Sequence, residues 1–458
     1  MIVTPEDSRW PGPWPGLAAV AAHGPGFLAG WTGDRGELAT ILGTTALSDP
    51  RTVAVVAGQQ PAVGGGPLYT LVKCATACAV ARRLTAAGQP AAAVFWCASE
   101  DHDLGEAGHA DLVDRSGIIR RVNADLGPGR AALRHRPAIS GWAEVLSALA
   151  ALPGTALGAT FIREQQPHAD EGFGAWLCRF LRAIFPGLVA VEGHRLRGQW
   201  VEQARRLTTA WPAAALASLR EQRLAEGAAD AFGELPRPTW FADRPSGRTA
   251  LEPSATLALI DSAPDQLSPS AAIRPILQQA ALPTLVFVAG PGELAYHRFL
   301  APLYSAAGVP PPIILPRPSA TLIPAWYRRA CSAWGTTPTR IDAGFLPNDP
   351  PVEEPALGFL DQAIAHLQGA EPIRAGAARR LGRERERLAA GLARRARRAA
   401  ERPAPATLAR WLKPRDGTRQ DRIMSVIQAI WQHGPGLGRV LIEAVDGAEP
   451  GEHRLVNV

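Results

Sequence analysis

The chain has 458 residues, of which 47% are hydrophobic and 20% are charged, and its net charge is +6. This balance excludes a disordered protein and is typical of a globular chain with two or three domains. Five scattered cysteines exclude a disulfide framework, and no apolar run reaches the roughly 18 to 20 residues that a membrane span requires.

The N-terminal segment MIVTPEDSRWPGPWPG is acidic and rich in proline. It lacks the basic start and the apolar stretch of a signal peptide. We therefore expect a cytoplasmic protein with no membrane partner.

The basic residues are almost all arginine, since Lys73 and Lys413 are the two lysines among 48 basic side chains. Arginine has evidently replaced lysine wherever either would serve, so the positive charge is weak evidence for a nucleic-acid partner, and we expect none. For the same reason, Lys73 indicates a position that requires lysine, because the planar guanidinium of arginine cannot replace its compact ammonium.

The first half of the chain alternates short apolar runs with helical patterns. TVAVVA (52–57) predicts a strand that ends in GQQ, and AAAVFWCA (91–98) predicts a second strand that ends in SEDHD. The helical pattern between them, which ends at Gly88, is a crossover long enough for parallel pairing. Cys74 and Cys78 within it are interpreted as small buried hydrophobes rather than zinc ligands, because no second ligand pair is present.

The next segments predict a hairpin and further helices around another strand. A turn-rich stretch at 227–250 indicates a connecting insertion. The predicted elements are hairpin strands at 111–114 and 117–122, helices at about 141–151, 171–185 and 195–226, and a strand at 188–191.

A second α/β part follows, with strands at 285–289 and 313–315 and a helix at about 294–307 between them. Residues 352–402 then form an arginine-rich helical pattern. It fits a nucleic-acid-binding helix or an amphipathic interaction helix. We favour the second, because Arg and Glu alternate and Leu381, Leu388 and Leu392 recur near one face.

Three polar or glycine-rich segments follow predicted strands: GQQ, SEDHD and GPGE. The carboxyl ends of parallel strands are where ligands bind in open sheets, so three such segments indicate one site. In SEDHD, a carboxylate and His102 could act as general base and acid. The alternatives are a helix N-cap with Ser99 as the capping residue, or a metal site that His109 completes.

The other two segments also have plain structural alternatives. The loop after Gln60 could bring backbone N–H groups and Lys73, which shares a helix face with Tyr69, to an anion, or it could be only a tight turn. Arg274 suits a carboxylate, whereas Glu293 could simply stabilise the first turn of a helix. His297 and Arg298 are expected at the surface.

Two long blocks resemble one known family. GQQPAVGGGPLYTLVKCATACAVARRL, with VFWCASEDHD and His109, is similar to the first signature block of the bacillithiol biosynthesis cysteine-adding enzymes. The second block is LSPSAAIRPILQQAALPTLVFVAGPGELAYHRFLAPLYSAAGVPPPIILPRPSATL, and a weaker match is Gln420-Asp421-Arg422 with HGPGL. The likeness covers about residues 50–325 and the last fifty.

The resemblance implies an α/β fold with a Rossmann-like parallel-sheet core, connecting insertions and a helical C-terminal region, a shortened coiled coil used for homodimerisation. It implies a ligase that joins the carboxyl group of cysteine to the amine of glucosaminyl-malate, the last step of bacillithiol synthesis. Activation of the carboxylate would use ATP and Mg²⁺. The alternatives are a related ligase or nucleotidylyltransferase-like enzyme that joins cysteine to another amine, and a non-catalytic nucleotide- or metabolite-binding protein.

The resemblance also implies the residues of the site, with no resident metal. Where we expect an asparagine directly before His109, this chain has Gly108. We expect Asp101 or Asp103 to hold His102. The catalytic residues would be Glu100, Asp101, His102 and Asp103, and the substrate- or nucleotide-binding residues Gly58, Gln59, Gln60, Tyr69, Lys73, Ser99, His109, Arg274, Gly290, Glu293 and Tyr296.

The predicted organisation has five parts. The core is expected to be split by an insertion, and the chain to return to it after a helical region. The bounds are 1–226 for the first part of the core, 227–260 for the insertion, 261–345 for the second part, 346–412 for the coiled-coil-like region and 413–458 for the returning helical segment.

Overall fold

A computed structural model describes residues 15–209, 220, 224, 240–297, 299–347, 355–367, 372–401 and 403–458. None of the helices in these ranges is both long enough and apolar enough to span a membrane. The α-helices are Leu17–Ala29, Arg35–Leu42, Tyr69–Ala86, Leu104–Ala107, Trp142–Ala150, Ala156–Glu164, Phe173–Ile184, Val201–Thr209, Pro253–Ser262, Arg274–Ala281, Pro291–His297, Ala301–Ala307, Ala325–Ala333, Pro338–Asp342, Pro355–Leu367, Pro372–Glu401, Pro405–Leu412, Val426–His433 and Leu437–Val445.

A five-stranded parallel sheet forms the centre of the molecule. Its strands are β1 (Val53–Gln59), β2 (Ala91–Cys97), β5 (Val189–Glu192), β9 (Thr284–Ala289) and β10 (Ile313–Pro316), numbered in chain order. In the sheet they follow the order β10-β9-β1-β2-β5. All five predicted strands of the core are confirmed, and so is the Rossmann-like α/β class.

Both faces of the sheet are buried, which explains why its strands are apolar runs rather than alternating patterns. On β1, Val53 and Val55 face one hydrophobic cluster, while Ala54 and Val56 face another on the opposite side. The helix Tyr69–Ala86 packs on β1 and β2 from the first side. The sheet is therefore a fixed platform for the loops at its carboxyl edge.

The described residues also form three smaller sheets beside this platform. The predicted hairpin is confirmed as β3 (His109–Val113) and β4 (Ile119–Asn123). Two other sheets were not predicted: β6 (Trp240–Arg244) with β7 (Gly247–Leu251) and β8 (Leu267–Pro269), and β11 (Ser319–Ile323) with β12 (His453–Asn457). The described part of the predicted insertion, 240–260, thus begins with an ordered hairpin whose strand β6 also pairs with β8.

Two helix predictions need correction. The single helix at 294–307 is wrong, because Pro291–His297 and Ala301–Ala307 are separate helices, and a proline lies in the first turn of the second. The helix at 195–226 begins with 3₁₀ geometry over Gly193–Trp200 and continues as Val201–Thr209. Most of its later residues lie outside the described ranges. Helices at 141–151 and 171–185 are confirmed.

The arginine-rich C-terminal region contains two helices that contact each other, Pro355–Leu367 and Pro372–Glu401, with Arg385 paired to Asp361. Leu388 is 36% exposed. The side chain of Leu392 lies outside the described part of the chain. Dimerisation through this region stays a prediction, as do the five domain bounds.

Candidate active site

The site lies where the order of the strands reverses. From β1 the chain first builds β2 and β5 on one side and then returns to build β9 and β10 on the other. The loops after β1 and β9 therefore diverge and leave a crevice at their carboxyl ends, the usual ligand position in open α/β sheets. A cavity of about 430 Å³ occupies this position, a size typical of small-molecule sites.

Residues from both signature blocks line this cavity. Nine predicted site residues are among them: Gly58, Gln59, Gln60, Tyr69, Lys73, Arg274, Gly290, Glu293 and Tyr296. Lining residues that sequence reasoning missed include Trp96, Glu106, Gln278, Phe287, His297, Arg317 and Arg422. Arg317 follows β10 directly, so the strand-end rule applied to that strand would have found it.

Lys73 ties the two sides of the crevice together. Its Nζ donates to the carbonyl oxygen of Gly58 at 2.7 Å, to Oε1 of Gln59 at 3.3 Å and to Oε2 of Glu293 at 2.6 Å. The ammonium has three protons, and each has an acceptor here. Burial lowers the pKa of Lys73, while the charge of Glu293 acts in the opposite direction. Lys73 therefore offers no spare charge to a substrate unless Glu293 releases it.

Glu293 completes this link from the β9 side. Its Oε2 also accepts the backbone N–H of Gly290 at 2.6 Å. The side chains of Lys73 and Glu293 are 3% and 22% exposed, so the ion pair is largely withdrawn from water. The pair fixes the ends of β1 and β9 relative to each other. Glu293 therefore does more than stabilise the first turn of its helix.

The aromatic ring of Tyr69 and the guanidinium of Arg317 lie beside the Lys73–Glu293 pair. The hydroxyl oxygen of Tyr69 accepts from Nε2 of Gln59 at 3.2 Å, and the Arg317 guanidinium lies 4.9 Å from the centre of the Tyr69 ring. Arg317 also donates to Oδ2 of Asp421 at 2.8 Å, and both side chains are buried. Tyr69 and Arg317 are therefore held in place before any ligand arrives.

His297 is buried in the cavity wall, so its expected surface position is wrong. It is 5% exposed and stacks on Phe287 and Tyr296, with ring centres 4.8 and 4.9 Å away. Burial and the nearby Lys73 lower the pKa of His297 to about 3, so the imidazole is neutral near pH 7. Neither ring nitrogen has a hydrogen-bond partner within the described ranges. Arg298 lies outside them.

Glu100 belongs to a buried ion network and not to the cavity wall. It pairs with Arg197, which also lies 3.5 Å from Asp243. Asp243 accepts from Arg134 at 2.7 Å and contacts His135 at 3.2 Å. Burial would raise the pKa of Glu100, but the charge and hydrogen bond of Arg197 outweigh it and hold the pKa below its usual value.

Asp101 and Asp103 shape the loop after β2. Oδ1 of Asp101 accepts the backbone N–H groups of His102 at 2.7 Å and Asp103 at 3.2 Å. Asp103 caps the helix Leu104–Ala107 by accepting the N–H of Glu106 at 3.1 Å. The capping alternative therefore holds for Asp103.

Ser99 is not the cap. It is buried, and its Oγ lies 3.4 Å from Nδ1 of His194. Sequence reasoning missed this contact, because His194 follows β5 and only the sheet brings the ends of β2 and β5 together.

His102 faces arginines instead of the expected acids. Its Nε2 lies 3.1 Å from Nη2 of Arg130, and its Nδ1 lies 3.2 Å from Nη1 of Arg248. The expected pairing of the ring with Asp101 or Asp103 is therefore wrong. Burial and the charge of Arg248 lower the pKa of His102.

His109 begins β3 opposite Asn123 and does not line the cavity. Burial and the nearby Arg121 lower its pKa. Across the described ranges, no cluster of three or more His, Cys, Asp or Glu side chains could hold a metal ion.

The family described as "Bacillithiol biosynthesis BshC, N-terminal Rossmann-like domain" matches residues 38–197 and 245–318, just over half of the chain. The chain belongs to the BshC family. The matched segments contain all five strands of the central sheet. They also contain every residue of the predicted site and every lining residue of the cavity except Arg422.

Several relatives that carry the BshC name are similar to this chain over 59% to 70% of its length. The protein named "Putative cysteine ligase BshC" from Koribacter versatilis (strain Ellin345) is 32% identical over 294 residues, or 59% of this chain and 55% of its own. Its namesake from Salinibacter ruber is 26% identical over 343 residues, or 66% and 60%. The one from Thermus thermophilus is 28% identical over 351 residues, or 70% and 68%. The matched part thus spans a little over half of the first two relatives.

Proposed function

We propose that this chain is a ligase that joins the carboxyl group of cysteine to the amine of glucosaminyl-malate, the last step of bacillithiol synthesis. The observation that carries the proposal is the cavity between β1 and β9, which the two BshC blocks line together. The relatives' name, cysteine ligase, supports the choice of cysteine. Both substrates are small enough for a cavity of this size.

The proposal includes ATP with Mg²⁺, because an amide does not form from a free carboxylate in water without activation. When bound, ATP would supply that activation. Arg274 and Arg422 line the cavity and suit phosphate oxygens. Mg²⁺ usually binds through substrate phosphates with one or two protein carboxylates, so a dedicated cluster of ligands is not required.

Glu106 is the group that we propose as the base. The sugar amine must lose a proton before it attacks, and Glu106 is among the residues that line the cavity. Partial burial and the neighbouring charge of Asp103 raise the pKa of Glu106, which makes it a better base. His102 is outside the lining, and its arginine neighbours oppose its protonation.

The activity is tested by incubating the purified chain with cysteine and glucosaminyl-malate, with and without ATP and Mg²⁺, and measuring products by mass spectrometry. We expect a product with the mass of both substrates minus one water in the complete mixture. Serine in place of cysteine is the matched substrate control. Absence of that mass in every mixture would overturn the proposal.

Glu106→Gln is expected to lower kcat/KM by about 10²- to 10⁴-fold, because general-base catalysis contributes about that much. The activity of the unsubstituted chain should fall as the pH drops through the raised pKa of Glu106, since the base must be ionised, and the variant should lose this acid limb. Glu144→Gln, on the helix Trp142–Ala150, is the control. An unchanged pH profile in Glu106→Gln would assign the base elsewhere.

A further inference from the structure

Three arginines from separate segments gather around the loop after β2. Arg130 and Arg248 contact the two ring nitrogens of His102 at 3.1 and 3.2 Å. Arg274 lies 3.5 Å from Oδ2 of Asp101. We call Arg130, Arg248 and Arg274 the guanidinium cluster. Their long side chains converge on a loop that carries few free acceptors.

The cluster has more donors than acceptors. A neutral imidazole has one N–H and one acceptor nitrogen, so His102 can accept from only one of its two arginine neighbours. The other guanidinium faces an N–H and cannot donate to it. Arg248 donates Nη2 to Ser268 at 3.0 Å and to the carbonyl of Pro269 at 2.9 Å. The Nε atoms of Arg248 and Arg274 are buried without a partner within the described ranges.

The nearby carboxylates do not balance this charge. Glu100 and Asp243 are already paired with Arg197 and Arg134. Asp101 is the acid that remains in contact with the cluster, and one of its oxygens is committed to backbone N–H groups. Burial and then the like charge of Arg274 lower the pKa of Arg248, although the charges of Glu100, Asp101 and Asp243 act in the opposite direction.

The position of the cluster relates it to the cavity. Arg274 lines the cavity and also reaches Asp101 beside His102. Arg274 is therefore the member of the cluster through which it adjoins the cavity. On the opposite side the charge of Lys73 is already balanced by Glu293.

We propose that the guanidinium cluster is a subsite for a group with two negative charges, carried by a ligand whose remainder fills the cavity. Planar guanidinium groups bind carboxylate and phosphate oxygens in bidentate fashion, and an added anion supplies the acceptors that the cluster lacks. The identity of the ligand rests on the proposed function: the malate end of the amine substrate, or the phosphates of a nucleotide.

Occupation of this subsite also changes His102. The charged groups around its ring are Arg248, Arg130, Asp101 and Asp103. A bound dianion offsets the two arginines, so protonated His102 is favoured and its pKa rises. The proton comes from solvent.

The test is calorimetric titration of the full chain at constant ionic strength with L-malate and, separately, with inorganic pyrophosphate. We expect at least one to bind, and Arg248→Gln and Arg130→Gln to weaken it by about tenfold or more, the effect of one charge-assisted hydrogen bond. Arg120→Gln, an exposed arginine on β4, is the matched control and should bind like the unsubstituted chain. Preference for malate assigns the subsite to the amine substrate, and preference for pyrophosphate assigns it to a nucleotide.

The inference is overturned if neither anion binds or if both variants bind as tightly as the control. Arg130 is exposed, so its variant tests the subsite even if Arg248→Gln fails to fold. The His102 proton resonances give a second readout, since their titration should move to higher pH with bound anion in the unsubstituted chain but not in Arg130→Gln. Anion binding without ligase product would refute the proposed function alone. Product formation without arginine-dependent anion binding would refute the subsite alone.

Discussion

Glu293→Gln is expected to lower the free energy of unfolding by about 3–5 kcal/mol, the usual cost of leaving one partner of a buried ion pair uncompensated. The variant retains an ammonium that is 3% exposed and has lost its countercharge. It also weakens the acceptor for the N–H of Gly290, so the ends of β1 and β9 lose their connection. Urea unfolding measures the loss, and ligase activity should fall with it.

A double-mutant cycle separates the pair from its surroundings. Lys73→Met alone should also be destabilising, because the carboxylate of Glu293 then remains without its cation. The double variant should lose less free energy of unfolding than the two single variants added together, since no charge is left unpaired. Additive losses, or single variants as stable as the unsubstituted chain, would show that the two side chains do not support each other.

The second large effect is expected at Asp243. This side chain has no solvent exposure, and it accepts from Arg134 and contacts Arg197 and His135. Asp243→Ala leaves the buried guanidinium of Arg197 and the partly buried one of Arg134 short of an acceptor, so we expect a loss of about 3–5 kcal/mol in the free energy of unfolding. Urea unfolding followed by circular dichroism gives the measurement.

Asp261→Ala is the matched control for this variant. It removes an exposed pair with Arg205, which should contribute little because water screens it. A similar decrease in the free energy of unfolding of the two variants would mean that removal of any acidic residue has this effect. A near-normal stability of Asp243→Ala would contradict a network that holds Glu100 in place.

The strands of the core could be predicted because each one is recognisable from its own short stretch of sequence. β1 and β9 are continuous apolar runs, and such runs predict strands buried on both faces. β7 could not be found this way, because none of its residues Gly247–Leu251 is buried and several are polar. Its pairing with β6 depends on contacts that the sequence pattern does not display.

The structure brings nine of the fifteen predicted site residues to one cavity, whereas the SEDHD segment and His109 lie outside its lining. The strand-end rule brought Gly58 and Glu293 to one cavity, as the structure shows. The partner of Glu100 is Arg197, which lies near in space through β5 and far in sequence. A string of acids beside a histidine suggested mutual pairing, yet His102 meets arginines that other segments contribute. Side-chain partners across strands follow from tertiary structure, and no local pattern encodes them.

The measurement that tests the central claim most directly is the product assay on Ala271→Trp. Ala271 is an exposed residue in the lining of the cavity, so the indole should fill the crevice without breaking an internal contact. Ala151→Trp, which is exposed at the end of the helix Trp142–Ala150, is the matched control. The proposal predicts the cysteine–glucosaminyl-malate amide with the unsubstituted chain and with Ala151→Trp, and loss of product with Ala271→Trp at normal stability. Full product formation by a stably folded Ala271→Trp would place the reaction outside this cavity.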